Sequence, residues 1–128
     1  MNVTIPANPG NCRQVKEILN LIGDKWSMQV VVELGIQPRG FNDLRRQVTG
    51  ISQQMLTRTL RALERDGLVA RTVHGTSPPQ VDYALTSLGR SLAEPVRAVA
   101  RWALANLDTL YDNRARYDVH NAAVDEAS

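Results

Sequence analysis

Between Ser52 and Arg65 the sequence places Gln54, Arg58, Arg61 and Arg65 at i, i+4, i+7 and i+11, with Gln53 and Thr57 beside the first of them. On a helix of 3.6 residues per turn these polar side chains share one side, opposite Leu56, Leu60 and Leu63. The residue types suit the edges of base pairs. Glutamine can bond bidentately to adenine, arginine to guanine, and the threonine methyl can touch the thymine methyl. A helix that reads bases does so with its N-terminal half, which here holds Ser52, Gln53, Gln54, Thr57 and Arg58; Arg61 and Arg65 are better placed for phosphates. Any surface helix needs a polar side, so what precedes and follows this one decides how the pattern is read.

Ser52 is a strong N-cap residue, and Ile51 before it can staple to Leu56 inside the helix. Gly67 stands where a helix ends in a left-handed residue. Upstream, Val15, Ile18, Leu19 and Ile22 outline a first helix capped by Asn11 and ending at Gly23. Asp24 can cap a second, with Trp26, Val30, Val31 and Leu34 on one side. Phe41, Leu44 and Val48 mark a short third helix capped by Asn42 and stopped at Thr49-Gly50. Downstream, Leu68–Val73 and Val81–Leu85 read as two strands joined by the loop from His74 to Pro79. Thr86 then caps a long helix carrying Leu88, Leu92, Val96, Val99, Ala103, Leu107 and Leu110. Three helices, a tight turn, a polar-faced helix, a hairpin and a long helix make a mainly α fold with a small β-hairpin wing, the order of a winged helix-turn-helix. That context favours reading the fourth helix as a groove-reading element.

The wing adds candidates of its own. His74, Thr76 and Ser77 at its tip and Arg71 on its entering strand suit a phosphate chain or a minor groove. Lys25, at the start of the second helix, can meet a phosphate through its charge and the helix N-terminal amides. Arg39 and Arg45 are weaker candidates of the same kind.

Composition agrees with this reading and excludes others. The chain has 128 residues and a net charge of only +2, unevenly spread. Seven arginines against three acids give a local +4 from Arg39 to Arg71, whereas five acids against two arginines give −3 after Leu107. Residues 1–11 read as an arm, 12–110 as the folded domain, and 111–128 as a polar tail, frayed after about Tyr117. There is no run of about 20 apolar residues to span a bilayer and no signal-peptide pattern at the start, so the expectation is a cytoplasmic protein with no membrane partner. One cysteine and two histidines give no metal-ligand spacing. Neither a phosphate-cradling glycine loop nor a hydrolase motif is present, so no cofactor and no enzymatic reaction are expected. The alternative to DNA binding is a winged helix used only as a protein-interaction module, against which the arginine stripe argues.

Several segments, in fixed order, resemble the HxlR-type winged helix-turn-helix regulators of bacteria. Gly23-Asp24-Lys25-Trp26-Ser27 is similar to the family's Gly-Gly-Lys-Trp-Thr signature, and Arg39–Leu44, Gly50–Leu56, Leu63–Arg71, Pro78–Thr86 and Leu92–Val96 with Trp102 follow its pattern. Arg13 stands where members usually have proline after the N-terminal cysteine, and Gly40 is inserted between Arg39 and Phe41. The resemblance implies a homodimeric DNA-binding regulator of nearby genes and leaves open whether binding represses or activates; repression is the expectation. A helix-turn-helix dimer is expected to bind double-stranded DNA at a pseudo-palindromic operator. The resemblance also implies that Cys12 can answer to a small electrophile or oxidant. Helix chemistry points the same way, because Cys12 would be the first residue after the Asn11 cap, with Arg13 adjacent and Lys16 one turn on. The long C-terminal helix and the first helix are the expected dimer surface. Leu88, Leu92, Val96, Val99, Ala103 and Leu107 would face their own domain, while Ala98, Trp102, Leu104 and Ala105 exceed what one small domain covers.

Overall fold

A computed structural model describes residues 9–127, with side chains described for residues 11–125. Among these residues the order is α1 (Pro9–Gly23), α2 (Lys25–Ile36), β1 (Arg39–Gly40), α3 (Phe41–Gln47), α4 (Gln53–Arg65), β2 (Val69–His74), β3 (Gln80–Leu85), α5 (Ser87–Ala105) and α6 (Leu107–Ala127). The chain divides into two compact units, one up to Glu94 and one from Pro95 onward. The expected arm, apart from its last three positions, lies outside the described residues.

The first unit is the winged helix. α2 is its centre, packing against α1, α3, α4 and β3. Its Val30, Val31 and Leu34 are buried with Leu44, Val48, Ile51, Leu56, Leu60, Leu63, Val69 and Leu85. Asp24 caps α2 as expected, its carboxylate accepting the Ser27 amide at 3.4 Å. The wing strands run antiparallel in register from Val69 opposite Leu85 to His74 opposite Gln80. A third strand was not anticipated: Arg39 pairs with Tyr83 and Gly40 with Asp82, giving the order β1-β3-β2. Two residues are too short for any period-2 pattern to betray them.

Three expectations about caps and ends need correction. α1 begins at Pro9, not after Asn11, so the arm is shorter than drawn and Cys12 is the fourth helical residue. Proline favours the first helical position because its missing N–H would be unpaired there anyway. The N-cap of α3 is Gly40, with no side-chain cap bond, and not Asn42. Pairing of Gly40 with Asp82 fixes an extended backbone that flows directly into Phe41. Finally, residues expected as a frayed tail are helical to Ala127.

The apolar stripes also turn out differently. On α1, Val15 and Ile22 are half-buried, but Ile18 and Leu19 are exposed. On α5, Leu88 and Val99 are more than half exposed, whereas Gly89, Ala93 and Val96 are buried. Side-chain size pointed to the leucines, but close approach selects the small residues. A Cβ on Gly89 would overlap the carbonyl oxygen of Leu68, so only glycine lets the first turn of α5 lie flat on that backbone. Thr86 secures the start of the helix by accepting the Gly89 amide at 3.1 Å.

The second unit is helical throughout its described residues. α5 and α6 meet at Asn106, whose amide still donates to the Trp102 carbonyl at 3.0 Å and whose carbonyl accepts from Leu110 at 2.9 Å. The side-chain amide of Asn106 donates to the same Trp102 carbonyl at 2.8 Å. The apolar residues of α6 are spread around the helix, and Tyr111, Tyr117, Val119 and Val124 are all exposed.

Candidate nucleic-acid interface

Helices α3 and α4 are joined by a turn whose geometry is set locally. The Ile51 amide donates back to Val48 at 3.2 Å, and Gly50 takes φ +86°, which L side chains rarely adopt. A Cβ on Gly50 would stand 3.9 Å from the Trp26 ring, so this turn lies beside the first turn of α2. Ser52 then starts α4 by accepting the Met55 amide at 3.0 Å, with Ile51 and Leu56 both buried behind it as a staple requires. At the other end the Gly67 amide reaches Glu64 at 3.0 Å and the Leu68 amide reaches Leu63 at 3.0 Å. With Gly67 at φ +75°, these bonds form a complete Schellman ending.

Burial of Leu56, Thr59, Leu60 and Leu63 fixes how α4 is rotated. Gln53, Gln54, Arg58, Arg61 and Arg65 are consequently exposed and Thr57 is half-buried, as the spacing predicts. Gln53, Gln54, Thr57, Arg58 and Arg61 line one open hollow of about 560 Å³. The Thr57 hydroxyl donates to the Gln53 carbonyl at 2.9 Å, so its methyl is what remains for an apolar contact. Among the described residues Arg58, Arg61 and Arg65 form no ion pair. Their donors therefore need no internal partner displaced before meeting a base or phosphate.

The other candidates are more engaged. Arg71 on β2 stands 3.9 Å from the Glu64 carboxylate of α4, and its cross-strand partner Tyr83 lies between it and Arg39 of β1 in the sheet. Burial pushes the Tyr83 phenol up, with Arg71 and Arg61 pulling against Glu64. His74 shares a 2.8 Å contact with Asp82, and the Thr76 hydroxyl donates to Pro78 at 2.8 Å. Ser77 is exposed. These bonds brace the tip of the wing. Lys25 holds its ammonium 4.6 Å from the Trp26 ring centre. The neighbouring Asp24 carboxylate already occupies one α2 amide, so any phosphate there would rely chiefly on the lysine charge. Cys12 is exposed on α1. Arg45 is exposed too. Arg39 is not: it is buried between two carboxylates, and the presence of Glu33 six residues before it and Asp43 four after was the signal that charge counting overlooked.

A helix-turn-helix followed by a β-hairpin wing, with the second helix presenting an unpaired glutamine and arginine side, defines a winged-helix DNA-binding regulator. A family model described as HxlR-like helix-turn-helix matches residues 21–111, and the chain belongs to that family. The uncharacterized HTH-type transcriptional regulator YtfH of Escherichia coli (strain K12) is 39% identical over 92 residues, covering 72% of this chain and 73% of the relative. Among solved structures, a transcriptional regulator YtfH from Salmonella typhimurium superposes with TM-score 0.74 at 36% identity, covering 78% of this chain and 89% of that one. The redox regulator HypR in its reduced form does so with TM-score 0.72 at 38% identity, covering 77% and 98%. The protein is a transcriptional regulator and not an enzyme. Among the described residues no helix is long and apolar enough to cross a membrane.

Proposed function

We propose that the protein is a cytoplasmic, homodimeric repressor of nearby genes that reads a pseudo-palindromic operator. Gln53, Gln54, Thr57 and Arg58 face base edges in the major groove, Ser52 sets the helix start, and Arg61, Lys25, Arg71 and the wing residues His74, Thr76 and Ser77 meet the backbone. The observation that carries this reading is the side of α4 whose arginines have no ion pair within the described fold. Exposed apolar residues on α1 and α5, among them Leu19, Val99, Trp102 and Leu104, support a second copy as the cover.

The test is a gel shift on the DNA upstream of the protein's own gene at two salt concentrations. Arg58→Ala should cost about 1–3 kcal/mol and relax preference at one or two base pairs per half-site. Lys25→Ala should weaken all sequences alike and flatten the salt dependence. No shift at either salt would leave a protein-interaction module as the better reading. Light scattering at micromolar concentration tests the dimer, and a rise in transcription of the adjacent gene on deletion tests repression.

A second element concerns Cys12. Its exposure, and the similarity to a protein described as a redox regulator, support a thiol that tunes DNA binding. As the sole cysteine it can form a disulfide only between subunits or with a small thiol. Diamide should change the operator affinity of the wild type and leave Cys12→Ser untouched; equal, unchanged affinities would remove Cys12 from the mechanism.

A further inference from the structure

Arg39 is an unusual arginine for a small basic domain, since its side chain is only 8% exposed. Its Nε donates to the Glu33 carbonyl at 3.3 Å, in the last turns of α2. One terminal nitrogen lies 3.2 Å from the Glu33 carboxylate, and the other lies 3.0 Å from the carboxylate of Asp43, in the first turn of α3. Arg46 also approaches Asp43, at 3.7 Å, but from an exposed position. The backbone of Arg39 is at the same time half of β1, paired with Tyr83. Across β3 the same Tyr83 pairs with Arg71, whose side chain approaches Glu64 of α4. One rung of the sheet thus runs from a buried guanidinium fixed to α2 and α3 to the wing arginine beside the recognition helix.

Two residues of strand and a helix start without a side-chain cap are weak fixtures by themselves. The planar guanidinium supplies what they lack, because its fork reaches two carboxylates and a carbonyl on two different helices. A lysine would keep the charge but not that geometry. We propose that Arg39 is a positioning residue for DNA recognition, acting through Glu33 and Asp43 to hold α3 and the wing strands in the register that lets α4 and the wing engage one duplex together. The inference rests on the reading of α4 and the wing as the DNA-contacting elements.

The experiment uses the full chain and a duplex selected by the wild-type protein from a randomised library, with a scrambled duplex as reference. Arg39→Met, shown to be folded at the assay temperature by circular dichroism, should lose about tenfold of the preference for selected over scrambled DNA, the cost of about one misread base pair. Its salt dependence should match the wild type, because no phosphate contact is lost. Arg39→Lys should recover part of the preference, and Asp43→Asn should lose less than Arg39→Met in the same direction. Simple destabilisation would not move the selectivity of molecules that remain folded. Wild-type preference in folded Arg39→Met would overturn the proposal, as would a flatter salt dependence, which would make Arg39 a phosphate contact itself. If Arg39→Met does not fold, Asp43→Asn decides by the same measure, since Asp43 is one-third exposed. Arg58→Ala is run in parallel: unchanged preference there sinks the reading of α4 and this inference with it, whereas a loss there beside intact Arg39 and Asp43 variants sinks this inference alone.

Discussion

Helices α4 and α6 are both rich in polar residues, yet they do opposite things with their apolar ones. α4 gathers Leu56, Leu60 and Leu63 on one side and buries them, which forces Gln54, Arg58 and Arg61 outward. α6 spreads Leu107, Tyr111, Tyr117, Val119 and Val124 around its circumference, and every one of them is exposed. Segregation of apolar side chains gives a helix a fixed rotation in its own fold, and through that rotation a defined outward side. A helix without segregation gains no such orientation from its sequence.

The contrast is sharpest in a truncation at the core. Leu60→Ala should destabilise the protein by about 2–5 kcal/mol in denaturant melts, since the side chain is fully packed. A cost below about 1 kcal/mol would mean that α4 is not seated as described. The cap comes next: Ser52→Ala removes the acceptor for the Met55 amide and should cost about 1 kcal/mol, with DNA affinity falling in step as the first turn frays. Acid titration should follow. Arg39 beside Asp43 holds that carboxyl below its ordinary value of 3.8, with Gln47 and Arg46 assisting against desolvation. A carboxylate with a depressed pKa contributes stability that is present above 3.8 and lost as pH falls through the lower, folded value. Asp43→Asn should flatten that part of the acid melt, and an unchanged acid limb would remove the pair from the stability balance. The smallest effect belongs to α6, where Val119→Ala should change the stability of a single chain by less than about 0.5 kcal/mol. A larger loss that grows with protein concentration would instead show Val119 buried against a partner.

Much of the winged helix was legible because its signals are local. Ser52, Gly67, Asp24 and Thr86 each satisfy or release backbone groups within a few residues, and those caps stand where the sequence puts them. The side of α4 was legible for the same reason, since three leucines at helical spacing fix its rotation. Where the reading failed, something distant in sequence had intervened. Gly40 displaced Asn42 as the α3 cap because it pairs with Asp82, about forty residues away. The buried stripe of α5 turned toward Gly89 and Ala93 because Gly89 meets the Leu68 backbone.

By itself, then, the sequence determined the order of elements, the ends set by their own caps and the side of α4 that carries glutamine and arginine. These depend on hydrogen bonds and apolar spacing within one or two turns, which any local stretch of chain can satisfy alone. The tertiary structure decided the third strand, the rotation of α5 and the fate of Arg39. An arginine among other arginines reads as one more surface cation until the fold brings Glu33 and Asp43 onto its two terminal nitrogens and buries the guanidinium between them. Burial and pairing belong to the packed chain, and they alone separate an arginine that meets DNA from one that holds the reader in place.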